Sequence, residues 1–214
     1  MNRLLLSLLL AAPALADAAP SSRVAWTAEQ LNFVKAGNAQ KGRELAASCT
    51  SCHGDAGSSE TPTFPSLAGQ LPTYLFKQLQ DYADGSRDNP LMLGIAKSLS
   101  KQDMADLAAW FASQPPPPSS YASMALKKAE TLVTQGDNER LLVPCEVCHG
   151  NNGDGQKLDI PALAGQQAEY LSATLSTFKD GSRHNDVYGK MRLIAKTLTE
   201  KEIEELGMYY QNMK

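Results

Sequence analysis

The 214-residue chain has only three histidines, His53, His149 and His184, and four cysteines, so metal or thiol chemistry has very few side chains to work with. Four cysteines also fall short of the density that staples a small secreted scaffold. Neither sign of charge is in excess. Twenty Lys and Arg against 23 Asp and Glu leave a formal −3, which gives no long-range attraction for phosphate backbones or anionic lipid and disfavours nucleic-acid binding. Beyond its first residues the chain lacks an apolar run of the about twenty residues that cross a bilayer. What is present, 43% hydrophobic and 20% charged residues, is ordinary for a globular chain and excludes disorder and collagen.

The first residues read as a targeting signal. Arg3 precedes an apolar run over 4–12, and Ala14-Leu15-Ala16 supplies a small-x-small cleavage site. Residues 1–16 are therefore expected to be a cleaved signal peptide, with the mature chain starting near Asp17 in an oxidising periplasm.

Comparing the chain with itself fixes its organisation. Cys49-x-x-Cys52-His53-Gly54 recurs as Cys145-x-x-Cys148-His149-Gly150, at an offset of 96 residues. The same offset relates PSLAGQ at 65–70 to PALAGQ at 161–166, Tyr74-Leu75 to Tyr170-Leu171, and DGSR at 84–87 to DGSR at 180–183. Past the arginines the offset becomes 99: Met92 pairs with Met191, and IAKSL at 95–99 with IAKTL at 194–198. Four prolines at 115–118 separate the copies and suit a semi-rigid linker. The expected organisation is a signal at 1–16, an N-terminal extension at 17–37, one domain at 38–114, a Pro-rich linker at 115–120 and a second domain at 121–214.

Within each copy the periodicity is helical, and no convincing strand pattern occurs, so the fold class is all-α. A first helix follows Asn38. Pro72 suits a first helical turn, with a stripe of Tyr74, Leu75, Gln78, Leu79 and Tyr82 that stops at Gly85; its counterpart runs from about Gln167 to Lys179 and stops at Gly181. Ser100-x-x-Asp103 and Thr199-x-x-Glu202 resemble capping boxes opening a last helix in each copy. Helical domains this small bury little apolar surface alone, so a large bound group in the core would make physical sense of them.

The Cys-x-x-Cys-His spacing lets two thiols add to the two vinyl groups of a haem while the adjacent imidazole becomes its proximal ligand. Two such motifs account for Cys49, Cys52, Cys145 and Cys148 and leave no thiol over, which predicts two covalently bound haem c groups. A thioredoxin-like redox pair would need a βαβ setting, and zinc would need four ligands. A low-spin carrier needs a second axial ligand at each iron. Two bis-histidine irons would take four histidines, and there are three. Among the methionines only Met92 and Met191 match between copies: Met104 falls opposite Ile203, Met208 opposite Ala109, Met213 opposite Gln114, and Met124 has no counterpart methionine. The expected iron ligands are therefore His53 with Met92 and His149 with Met191. Met104 reads as core filling and His184 as a solvated loop residue. Pro65 and Pro161 serve either as rigid turns or by offering a backbone carbonyl to the histidine Nδ1 proton. Arg87 and Arg183 are either surface arginines or partners of haem propionates.

With CTSCHG, FPSLAGQ, DGSR, a Met92 loop and the closing LAAWF helix together, the first copy resembles a class I cytochrome c domain, and the tandem chain from about Asn38 onward resembles the dihaem cytochrome c4 family. That resemblance implies two tandem class I cytochrome c domains, His/Met ligation at both irons, and one-electron transfer from a quinol-oxidising complex toward a terminal oxidase. Two features depart from it: the extension at 17–37, with Trp26 and Phe33, and Ala129 where a glycine is expected at the crossing of first and last helices.

The leading function is a periplasmic, soluble or peripherally membrane-associated electron carrier that is not an enzyme. Its partners are redox proteins, including membrane-bound complexes, with no nucleic acid and no small-molecule substrate. The alternatives are a cytochrome subunit of a flavoprotein dehydrogenase, for example sulfide-oxidising, and a dihaem peroxidase, which would need an open axial position. Lys190 and Arg192 flank Met191, whereas the neighbours of Met92 are apolar. If those cations are not screened, they raise the potential of the second haem and steer an acidic acceptor to it, while the first copy docks through apolar contact. Denaturing mass spectrometry of the mature protein should show the chain without residues 1–16 plus two haem masses; one haem, or haem extracted by acid acetone, would contradict the thioether reading.

Overall fold

The structure is a computed structural model describing residues 21–119, 126–156 and 158–213. The expected signal at 1–16, the end of the linker at Ser120, and Met124 lie outside the described residues. Among the described residues all regular structure is helical, with two isolated β-bridges, Asp137 with Leu142 and Gln156 with Ile160.

The first half carries α1 (Ala28–Lys35), α2 (Ala39–Ala46), a one-turn α3 (Thr50–His53), α4 (Pro72–Asp84), α5 (Pro90–Lys97) and α6 (Lys101–Ala112). Local chemistry sets most of these boundaries. The Asn38 side chain accepts from the Gln40 and Lys41 amides at the start of α2, and Pro72 occupies the first turn of α4. Gly85 ends α4 in the left-handed region at φ 81°. Ser100 and Asp103 form a complete capping box on α6, as Thr199 and Glu202 do on the last helix of the second half. That half carries α7 (Lys127–Thr134), a one-turn α8 (Glu146–His149), α9 (Ala168–Asp180), α10 (Lys190–Thr197) and α11 (Glu200–Asn212).

Each half has its own apolar cluster. Val34, Leu75, Phe76, Met104, Leu107 and Phe111 are buried in the first, and Ala129, Leu132, Val133, Leu171, Ile203 and Leu206 in the second. Met104 is packed in the first core with its sulfur 2.9 Å from Gln80 Nε2, as the core-filling reading expects. Part of the extension at 17–37 is not an appendage: it forms α1, whose Val34 is buried and whose Phe33 meets Phe76 edge-on at 6.1 Å. The expected Met92 loop is helical instead. Met92 stands in the first turn of α5 and Met191 in that of α10, because Asn89 and Pro90 nucleate the former helix and Asp186 accepts from the Arg192 amide in the latter.

The linker lies across both halves. Pro116 closes on Gly69 and Pro117 on Gly165, where a β-carbon would meet the prolines, and the amides of these two glycines bond to Phe111 O and Tyr210 O at 2.9 Å each. In the first half α2 crosses α6 where Gly42 lies against the Asp106 carbonyl and Trp110; the second half buries Ala129 in its core instead. A methyl group at position 42 would collide with backbone. Gly42→Ala should therefore destabilise the protein by about 2 kcal/mol or more, read as a lowered thermal midpoint, and an unchanged midpoint would show that the crossing is looser than it looks.

Candidate functional site

The two cysteine motifs are held by matching backbone. In each, a one-turn helix follows the first cysteine: the His53 amide bonds to Cys49 O and the His149 amide to Cys145 O, both at 2.9 Å. Gly54 and Gly150 then reverse the chain at φ 77° and 83°. All four cysteines are free thiols and partly buried. Burial pushes the Cys49 thiol above its ordinary range and the Cys145 thiol up to about 11, so both are protonated at neutral pH. Among the described residues no three His, Cys, Asp or Glu side chains converge in a metal-holding group.

Both histidines are buried with one tautomer fixed. His53 Nδ1 stands 2.8 Å from Pro65 O and His149 Nδ1 2.9 Å from Pro161 O. A carbonyl only accepts, so Nδ1–H donates in both rings, and Nε2 is left with its lone pair. Burial holds both imidazoles below the usual histidine range, outweighing the carbonyl, which favours the charged form. Neutral, oriented rings of this kind suit axial ligation.

One continuous cavity of about 590 Å³ is lined by His53, His149, all four cysteines, Met92 and Met191, with Leu75, Leu107, Leu171 and Leu206 among its apolar walls. The residues expected to bind the two haems are thus brought together, one set in each half. Met104 and His184 do not line it; His184 is exposed, with Nδ1 3.3 Å from Ser182 O.

A polar seam joins the halves about a pseudo-twofold. Gln70 accepts from the Ala162 amide and donates to Ala162 O, and Gln166 does the same with Ser66, all four bonds at 2.9 Å. Arg87 reaches across to the Tyr170 hydroxyl at 3.0 Å, and Arg183 to the Tyr74 hydroxyl at 3.2 Å. These arginines are not on the surface, being 8% and 9% exposed, and both line the cavity. Their remaining bonds go to neutral acceptors, the amide oxygens of Gln78 and Asn185. Neither has a carboxylate partner among the described residues. The effect reaches Tyr170. Burial works against ionising its phenol, yet the flanking Arg87 and Arg183 cations prevail and bring it down to about 7. Two buried guanidiniums without counter-charge are costly, so the donor set fits a bound group that presents carboxylates to this part of the cavity. Haem, with its two propionates, is such a group, and the cysteine pairs and imidazoles fit its vinyls and iron.

Two features of the seam are absent from the sequence reading. The identical Gln70/Gln166 and Tyr74/Tyr170 pairs were a visible signal, being polar residues repeated where helix packing alone does not require them. Lys77, paired with Asp81 at 2.5 Å and bonded to Asn185 O across the seam, gave none, because position 173 of the second copy holds alanine. The charge asymmetry at the methionines is also reduced. Arg192 Nε is 2.7 Å from Asp186, which offsets its charge, and leaves Lys190, over the Tyr188 ring, as the remaining cation beside Met191. The order of the two potentials therefore does not follow from these flanks.

A family model for cytochrome c matches residues 39–115 and 139–214. The chain is 39% identical over 180 residues to cytochrome c4 of Pseudomonas aeruginosa, covering 83% of this chain and 90% of that one. It is 36% identical over 174 residues to a thiosulfate dehydrogenase electron acceptor of Stutzerimonas stutzeri, covering 78% and 80%. The crystal structure of reduced cytochrome c4 from Pseudomonas stutzeri superposes with a TM-score of 0.80 at 40% identity, over 84% of this chain and all of that one. Because Arg87 places a buried positive charge at the cavity, Arg87→Gln should lower the reduction potential in a spectroelectrochemical titration; unchanged potentials would remove the arginine from the haem environment.

Proposed function

The chain belongs to the cytochrome c family, as a dihaem electron carrier like cytochrome c4 with two covalently bound haems, and from that premise we propose how it works and where. In this reading it is a periplasmic carrier whose irons are held by His53 with Met92 and His149 with Met191. It takes electrons from a quinol-oxidising complex and delivers them toward a terminal oxidase. The observation that carries the reading is that each half lines the cavity with a histidine of fixed tautomer and with a methionine in the first turn of a helix.

Bound haem supplies reversible one-electron chemistry at iron. Everything else is the work of the chain. The Pro65 and Pro161 carbonyls hold the proton on Nδ1, so each imidazole presents Nε2 and keeps its orientation through repeated turnover. Cys49, Cys52, Cys145 and Cys148 anchor the group through thioethers. Met92 and Met191 would hold each iron through a thioether sulfur, which favours the ferrous state, and the leucines around them would exclude water. Arg87 and Arg183 would hold the propionates at the seam with charge-assisted bonds. With His53 and Met92 holding one haem and His149 and Met191 the other, the chain would offer no open site for peroxide or another small substrate, unlike a dihaem peroxidase.

The resemblance to thiosulfate dehydrogenase electron acceptors supports a second reading in which the donor is a sulfur-compound dehydrogenase. Copurification and genomic neighbourhood distinguish the donors. The ligand assignment is tested by the weak near-infrared band of thioether-bound ferric haem. It should fall by about half in Met92→Ala and in Met191→Ala, vanish in the double variant, and each single variant should gain carbon monoxide binding. The same loss in Met104→Ala would overturn the choice of methionines.

A further inference from the structure

The two copies differ in length at two places, and both present large exposed side chains. Ten residues separate α7 from Cys145, against two between α2 and Cys49. Seven separate Arg183 from Met191, against four between Arg87 and Met92. The first longer segment carries Leu141, 89% exposed at φ 55°, and the second carries Tyr188, 84% exposed at φ 60°. Bulky residues in the left-handed region are strained and persist only where their surroundings impose it.

The surroundings of Leu141 do impose it. Asp137 and Leu142 exchange backbone hydrogen bonds at 2.8 and 2.9 Å. Arg140, between them, donates to Asp137 at 2.8 Å, to Thr197 O at 2.9 Å, and to both oxygens of buried Glu202 at 2.9 and 3.0 Å. The loop is thus bolted to the second half with Leu141 turned out. Val143 and Val147 are also exposed within the next six residues; Val143 lies at the mouth of the cavity and Val147 stands between the two motif cysteines. The equivalents of Glu146-Val147 in the first motif are Thr50-Ser51.

Among the described residues, the unpaired charge around this apolar strip is mostly negative. Glu130, Glu139 and Glu146 have no ion pair among the described residues, and Glu130 and Glu146 lie close enough to Tyr209 to raise its phenol alongside burial. Among the described residues, the neighbouring cations Lys128 and Arg140 are tied to Glu202, which leaves Lys127 against three carboxylates.

We propose that the strip of Leu141, Val143 and Val147, rimmed by Glu130, Glu139 and Glu146, is the docking face for a redox protein whose contact surface is apolar at its centre and basic at its edge. This rests on the carrier reading above and adds which half meets that partner and through what chemistry. Apolar contact sets how closely the partner seats, while the carboxylates set its encounter rate and orientation. The face differs from the sequence-based expectation, in which the second copy attracts an acidic acceptor through Lys190 and Arg192.

The test uses the reduced two-haem protein with oxidised mitochondrial cytochrome c as a basic probe, in stopped flow. The wild-type rate should fall as salt is raised. Glu139→Lys/Glu146→Lys should slow it about tenfold at low ionic strength. Leu141→Ser/Val147→Ser should slow it severalfold at every ionic strength, with both potentials unchanged. Glu146→Thr/Val147→Ser, which copies the first motif, gives the same reading should the polar loop variant fail to fold. Rates that rise with salt, or that all these variants leave unchanged, would overturn the docking face. Oxidation by a small neutral mediator is read in parallel, and failure there would overturn the carrier reading itself.

Discussion

The helices of this protein are arranged around a space. Each half is too small to close an apolar core upon itself, and its leucines and aromatics line a cavity shared with the cysteine motif, the fixed histidine and the methionine. A flat, largely apolar group with an acidic edge completes the core on one side and answers the buried guanidiniums on the other. A haem seated there would stabilise the native state by covering apolar walls and answering buried guanidiniums that the chain alone leaves uncompensated.

The seam makes the two halves a single electron-transfer unit. Reciprocal glutamine bonds, reciprocal arginine–tyrosine bonds and the linker prolines seated on Gly69 and Gly165 repeat each contact about a pseudo-twofold. Such an interface opposes relative motion of the halves, because loosening it would strand several buried polar groups at once. Asymmetry enters at the buried Lys77, Asp81 and Asn185 of the seam, at α1 of the first half, and in the two longer segments of the second half.

What was legible in the sequence is what local chemistry dictates. The caps at Asn38, Ser100 and Thr199, the stops at Gly85 and Gly181, and the paired motifs each depend on residues within a few positions of one another. Self-comparison added one long-range fact, that Met92 and Met191 are equivalent. The remainder depends on partners distant in the chain and has no periodic trace. Arg87 and Arg183 follow a helix stop and so resemble surface residues, yet they turn inward to tyrosines of the opposite copy. Arg192 looks like a free cation until Asp186, six residues away, is found against it. Phe33 and Val34 lie in an extension with a weak pattern, and only the first core shows why they are apolar.

The central claim is that both irons have the same ligand pair, one imidazole nitrogen and one thioether sulfur, supplied once by each half. X-ray absorption fine structure at the iron edge, on the two-haem protein in both redox states, tests it most directly. The account predicts a full sulfur scatterer per iron in each state, averaged over the two sites. Half a sulfur per iron, which would mean that one of Met92 and Met191 is only packing, would contradict it.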